Sequence, residues 1–415
     1  MNTFTNLFLI ALLISNAVHF WLAFRHGHYV AEHRAEVPAA FKAKVPLAAH
    51  QKAADYTQAK LVLGNIDTVI SIVVLLLMTL GGGINEAFAL SAATISDPLW
   101  SGVVALAGVF LVLTVIEIPT SLYQTFVLEE KFGFNKSTAA QFVKDQLLAL
   151  VLGAVIGLPL LALILWIMDN VGSTWWLWAW GIMMSFSLLM SWLYPTVIAP
   201  LFNKFTPMED GSLKQRIQGL LVRCGFNSQG IFIMDGSKRS GHGNAYFTGL
   251  GNNKRIVFFD NLINSLEEEE LEAVLAHELG HFKCKHVIKM MGATAVMSLI
   301  SLGILGWLID QDWFYTGLGL AIEQKSHAAA LLLFMLVSSS FTFFMQPISA
   351  YFQRKFEFEA DDFAAKNAKA GMLISGLVKL YEENANTLTP DPLYSAFHYS
   401  HPPAAIRIAH LESKA

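Results

Sequence analysis

Charge is scarce in this 415-residue chain: 14% of its residues are Asp, Glu, Lys or Arg, 54% are hydrophobic, and the mean hydropathy is +0.48. A soluble domain carries about 25% charged residues. A chain this poor in them cannot cover its apolar surface in water, which excludes a purely soluble enzyme. Cysteine is nearly absent too. Two residues, Cys224 and Cys284, leave no disulfide framework and no cysteine-built metal cluster. Basic residues are not in excess, since the net charge is −4, and a broad cationic face for nucleic acid is excluded. Aromatics are plentiful, with 30 Phe and 10 Trp, so the chain is not disordered. What remains is a membrane protein.

A bilayer-crossing helix needs roughly 20 mostly apolar residues. Seven stretches qualify: 5–24, 61–82, 99–123, 147–168, 175–198, 290–309 and 328–351. The first has no basic leader and exceeds the roughly 7–15 apolar residues of a secretory signal, so it reads as a retained span. Lys and Arg set the orientation. Six lie between the first two spans (Arg25, Arg34, Lys42, Lys44, Lys52, Lys60), none in 83–98, three between the third and fourth (Lys131, Lys136, Lys144) and none in 169–174. The polar segment 201–289 and the tail after the seventh span are again charged, while the connection after the sixth has Lys325 alone. This alternation predicts an N-terminus outside the cytosol, with the long segment and the C-terminus inside it. Trp175, Trp176, Trp178 and Trp180 read as an interfacial belt.

The organisation expected is therefore five spans with their loops over 1–200, a cytosolic segment 201–289, spans six and seven over 290–351, and a cytosolic segment 352–415. The two cytosolic segments lie on one side and can join into one unit. Residues 230–235, 254–260 and 244–248 read as short strands, the last two joined by the turn-rich 249–253. The fold class is mainly α, polytopic, with a small sheet.

The chemistry concentrates after residue 264. Ser265-Leu-Glu-Glu268 has a capping-box pattern, and the acidic residues that follow suit the positive end of a helix. The helix runs on to His277-Glu278-Leu-Gly-His281. Histidines four apart share one helix face and can grip one zinc ion, while Glu278, beside the first, can act as general base. The bland alternative is a solvated helix, but this one leads directly into a span, at the mouth of the membrane. A catalytic zinc needs a third protein ligand. Phe356-Glu-Phe-Glu-Ala-Asp-Asp362 offers either the Glu357/Asp361 face or Glu359 on the opposite face, and helix geometry does not choose between them. His286 follows His281 at i+5, off the ligand face of a continuous helix. Cys224 and Cys284 read as spectator thiols. Asp67 and Glu117, within predicted spans, read as lining a cavity or as structurally bonded.

Six segments resemble the CAAX prenyl protease 1 family of integral-membrane zinc endopeptidases, and do so in that family's order. They are Glu130-Lys-Phe-Gly-Phe-Asn135, Ile198-Ala-Pro-Leu-Phe-Asn203, Asn244-Ala-Tyr-Phe247, His277-Glu-Leu-Gly-His281, Phe356-Glu-Phe-Glu-Ala-Asp361 and His398-Tyr-Ser-His-Pro-Pro403. The resemblance implies a zincin-like catalytic unit beside a large water-filled chamber, holding one Zn2+ between His277, His281 and Glu357. It implies that Asp361 holds a ligand histidine by its other ring nitrogen, and that Arg407 is an ion-pair partner. His401 matches the residue before Pro-Pro, where a donor can stabilise the tetrahedral oxyanion; without the resemblance it is a turn residue held by two prolines. Asn244, Ala245 and Tyr246 would take substrate as an added strand. His398 and Tyr399 stand nearby and receive no role. The substrate implied is a lipidated C-a-a-X tail, shortened by its last three residues.

The compact loops point to a bacterial inner membrane, the endoplasmic reticulum being the eukaryotic equivalent. Protein prenylation is not expected in a bacterium, and quality-control cleavage of unprenylated membrane peptides is then the alternative. A channel or transporter with a regulatory zinc site fits the spans but needs no Glu between the two histidines. A scaffold with a decayed site conflicts with a complete set of ligands and base.

Overall fold

A computed structural model of the chain describes residues 2–226, 228, 230–248 and 255–414, so the turn 249–253 lies outside the described residues. Seven helices are long and apolar enough to cross a bilayer: α1 Thr3–Glu32, α2 Leu47–Met78, α3 Pro98–Glu129, α4 Ala139–Asn170, α5 Gly172–Phe202, and, after the first polar segment, His286–Leu308 and His327–Asn367. Most exceed the stretches expected from hydropathy. The last has 41 residues, about 60 Å at 1.5 Å per residue and roughly twice the hydrocarbon thickness. Its second half therefore leaves the membrane, bending through a tight turn at Phe343–Met345, and carries the polar run with Glu357 into the soluble unit. The polar first half of α2 likewise projects out of the membrane before its apolar run begins.

The soluble unit adds α6 (Ser212–Cys224), α7 (Glu268–Lys283), α10 (Ala370–Glu383), α11 (Pro392–His398) and α12 (Ala404–Glu412); the sixth and seventh spans are α8 and α9. A four-stranded sheet flanks them, in the order β1-β2-β4-β3: β1 Phe205–Pro207, β2 Gly230–Met234, β3 Ala245–Thr248 and β4 Arg255–Phe259. β2 and β4 run parallel, and the outer strands pair antiparallel to them. Three of these strands fall where alternation predicted them. β1 was not foreseen, being three residues long and containing a proline tolerated only on an edge.

The helix start was also misplaced. Asp260–Ser265 forms its own short helix, and Ser265 donates its hydroxyl back to Leu262 instead of capping α7. Glu267 is the N-cap, and the Glu270 carboxylate accepts from its backbone N–H at 2.9 Å. The four tryptophans at the start of α5 differ in their surroundings. Trp175 is buried, Trp180 donates its indole N–H to Ala295 at 2.8 Å, and Trp178 alone of the four is largely exposed.

Two main cores stand apart. One joins the sheet, α6, α7, α10 and α12 to the loop after α1 (Val37, Phe41, Val45). The other packs the opposite ends of the spans around residues such as Phe8, Leu106, Phe314 and Tyr315. Between them the spans are loosely packed; the stretch from Ala139 to Gly157 has no buried residue, although its second part, from Leu147 on, is wholly apolar.

Candidate metal centre

α7 and α9 cross closely, and the sequence says why. A Cβ on Gly280 would lie 2.9 Å from the Ala360 Cα and 3.0 Å from its carbonyl oxygen, so only glycine admits this approach. Behind α7, the buried Glu270 accepts from Ser375 and Lys379 of α10, which locks a third helix in place. The crossing sets Glu357 opposite the two histidines.

Donor atoms of three residues then converge. His277 Nε2 and His281 Nε2 are 3.1 Å apart, His281 Nε2 is 3.2 Å from Glu357 Oε1, and His277 Nε2 is 3.4 Å from Glu357 Oε2. Ligands held tetrahedrally at about 2.0–2.1 Å from a zinc-sized ion are roughly 3.3 Å from one another. The nitrogen–nitrogen and nitrogen–oxygen separations are of that size. Glu357 Oε2 is buried and has no hydrogen-bond partner, which leaves its lone pairs open to a metal ion beside the longer-range charge of Arg407. The residues therefore fit a metal ion.

The chain matches two family models end to end, one described as CAAX prenyl protease N-terminal, five membrane helices, over 27–204, and one as Peptidase family M48 over 207–415. It is 36% identical to a CAAX prenyl protease 1 homolog of Dictyostelium discoideum, covering 99% of this chain and 97% of that one. It is 38% identical to CAAX prenyl protease 1 of Saccharomyces cerevisiae, covering 72% and 69%. The crystal structure of S. mikatae Ste24p superposes with a TM-score of 0.92 at 30% identity over 99% of both chains.

The chain belongs to the CAAX prenyl protease 1 family.

It is accordingly a multi-pass membrane metalloprotease with a metal cofactor, and the remaining residues can be placed around that chemistry. His277 is buried, and its Nδ1 lies 2.8 Å from Asp361 Oδ1. Asp361 in turn accepts from Arg407 Nε at 2.8 Å and Nη2 at 2.6 Å, and Arg407 Nη1 is 3.4 Å from Glu357 Oε2. Burial and the Arg407 charge push the His277 imidazole down, but hydrogen bonds to Asp361 and Glu357 outweigh them and raise it to about 9. The cluster thus calls for positive charge at His277. Burial raises the Glu278 carboxyl above its ordinary range, and its side chain faces a cavity of about 900 Å3.

His286 does not follow the expected geometry. The helix breaks at Lys285, whose φ of +58° is left-handed, and α8 starts anew at His286. His286 Nδ1 consequently lies 3.1 Å from His281 Nδ1, and its Nε2 lies 3.0 Å from Glu359 Oε2. Nothing in Cys-Lys-His marks a left-handed lysine, so this contact was not legible. Cys284, His286 and Glu359 also cluster as possible donors, but His286 and Lys289 already engage Glu359. A cation is already in place there.

His401 sits at the cavity mouth, its side chain 63% exposed, with Nε2 3.5 Å from Glu357 Oε1 and Nδ1 2.9 Å from the Ser400 hydroxyl. Asn244 and Ala245 line the cavity at the start of β3, the free edge of the sheet. Tyr246 instead packs edge-on to Phe259. His398 and Tyr399 line the cavity, together with Lys60, His242 and Tyr381, which the motifs did not mark. Of the intramembrane acids, Asp67 is half-buried and Glu117 exposed.

Proposed function

We propose that the chain hydrolyses peptide bonds with one zinc ion held by His277, His281 and Glu357, and that its substrates are prenylated C-terminal tails. The observation that carries the reading is the convergence of two imidazole nitrogens, 3.1 Å apart, on the Glu357 carboxylate, whose two oxygens lie 3.2 Å from His281 and 3.4 Å from His277. Bound zinc would supply a Lewis acid for the scissile carbonyl and would lower the pKa of attacking water. Glu278, facing the cavity, takes the proton from that water and returns it to the leaving amine. Its burial supports this role, since a carboxyl with a raised pKa is better matched to neutral operation. Asp361, fixed by Arg407, accepts from His277 Nδ1–H and so leaves Nε2 free to ligate. His401 donates to the oxyanion, a role supported by its approach to Glu357, and substrate adds to the β3 edge beside Asn244 and Ala245.

In this reading the site faces the cytosol, as the distribution of Lys and Arg directs. The relatives quoted above carry the name of prenyl proteases, which supports a prenylated tail as substrate. A bacterial inner membrane, suggested by the compact loops, would call for unprenylated membrane peptides instead. The test is cleavage of a farnesylated CAAX peptide with and without chelator, alongside Glu278→Gln with its metal content measured. The variant is expected to keep its metal and lose activity by about 100-fold or more. Full activity in Glu278→Gln would end the general-base assignment, and equal turnover of the unprenylated peptide would favour the quality-control role.

A further inference from the structure

The cavity that Glu278 faces has one positive charge with no matching acid. Among the described residues on its wall, the lysine and arginine side chains are Lys60 and Arg407. Arg407 is committed to Asp361 and Glu357. Lys60 is not committed in this way: its Nζ lies over the Tyr56 ring, 4.0 Å from the centroid, and no carboxylate of the described residues comes within the 4.0 Å of an ion pair. The acid nearest in influence, Glu129, is engaged elsewhere. It accepts from the Tyr56 hydroxyl at 2.6 Å, and its other oxygen is 3.5 Å from His242 Nε2. Thr57, Lys60, Leu61 and Gly64 recur at helical spacing, so this face of α2 is turned into the cavity by design of the sequence.

We propose that Lys60 binds the free C-terminal carboxylate of the peptide substrate. The proposal rests on the tail-processing reading above and extends it. A protease that removes a short C-terminal piece must distinguish a chain end from an interior peptide, and the α-carboxylate is the chemical difference between them. Three extended residues reach about 10 Å, so the chain end stays in the neighbourhood of the cleavage centre. A cavity of about 900 Å3 has room for a piece of that size. Lysine suits the task, because its ammonium is a compact charge on a flexible stem that can follow tails of different side-chain size. The Tyr56 face stabilises the ammonium without neutralising it, leaving the charge available to a ligand.

The experiment uses the full-length, metal-loaded chain in detergent and one farnesylated CAAX peptide in two forms, free acid and C-terminal amide. Wild-type protein is expected to favour the acid in kcat/KM by about tenfold to a hundredfold, as for loss of one charge-assisted hydrogen bond. Lys60→Met brings the acid-to-amide ratio close to one, and Lys60→Arg restores most of it. A ratio unchanged by Lys60→Met overturns the anchor, as does a ratio near one in the wild type. A lysine that merely balanced Glu129 would lower both rates together and leave the ratio intact. Should Lys60→Met fail to fold, Lys60→Gln gives the same ratio, and the wild-type comparison still decides. If the wild type cleaves neither peptide, the tail-processing reading itself falls; turnover without discrimination removes only the anchor.

Discussion

His277 and His281 belong to one helical motif, yet the walls behind them differ. Behind His277 stands Asp361, fully buried and clamped by two nitrogens of Arg407, itself buried. Behind His281 stands His286, and behind that Glu359, which shares its carboxylate with Lys289 near the surface. The His277 side chain is 8% exposed, that of His281 25%. A dry, charge-locked wall holds an imidazole in one orientation and tautomer, whereas the wall behind His281 is dry at the buried His286 and ends in a half-wet pair, Glu359 and Lys289, that water can replace. The two ligands therefore have unequal tolerance to change, although the sequence motif treats them alike.

The largest effect should come from removing what both walls share, the close crossing of α7 and α9. Gly280→Leu would force Ala360 and Phe363 away, moving Glu357 off the histidines. Overpacking here costs about 1–3 kcal/mol, and the protein is expected to purify without metal. A full metal complement by elemental analysis would show that the crossing does not position the site. Next comes Asp361→Ala, which strands Arg407 as a buried charge. Stability falls by about 3–5 kcal/mol, and metal affinity by about 10–100-fold, measured by chelator competition. Replacing Arg407 as well, in Asp361→Ala/Arg407→Met, should recover the melting temperature and leave metal binding weak. Recovery of both would mean that Asp361 serves Arg407 alone.

The dry wall also predicts a pH dependence. Without metal, the carboxylates hold the His277 imidazole up at about 9 against its burial. It is then protonated below that pH, and a metal ion must displace the proton. Affinity of the chelator-stripped protein for zinc should fall by up to about tenfold for each pH unit below 9. Affinity that is flat between pH 6 and 8 would place no proton on His277.

The amino-acid sequence exposes one wall and hides the other. His277, Glu278 and His281 follow from a spacing on one helix face, and the seven spans from hydropathy and loop charge, because both are local properties. The face shared by Glu357 and Asp361 was visible, but its preference over Glu359 came from resemblance, since only the crossing at Gly280 and Ala360 selects it. His286 was set aside by an argument that assumed an unbroken helix. The break depends on a left-handed Lys285, a conformation that the residue type does not announce. Lys60 was counted as an orientation signal; its place on the cavity wall depends on how α2 is rotated against the soluble unit.

The smallest effect belongs to the outer wall, and it decides whether the comparison holds. Glu359→Gln keeps an oxygen that can accept from His286 Nε2–H and loses only a charge already shared with Lys289. Metal affinity should change by about fivefold or less, as for other exposed ion pairs. His286→Ala removes the buried acceptor beside His281 Nδ1, and the space it vacates, next to a His281 side chain that is 25% exposed, admits a water in its place, so about tenfold is the expected ceiling. Both values lie below the loss in Asp361→Ala when measured by the same chelator competition. If Glu359→Gln weakened metal binding as strongly as Asp361→Ala, the two walls would be equivalent. Surface charge on α9 would then govern the centre as firmly as the buried pair does.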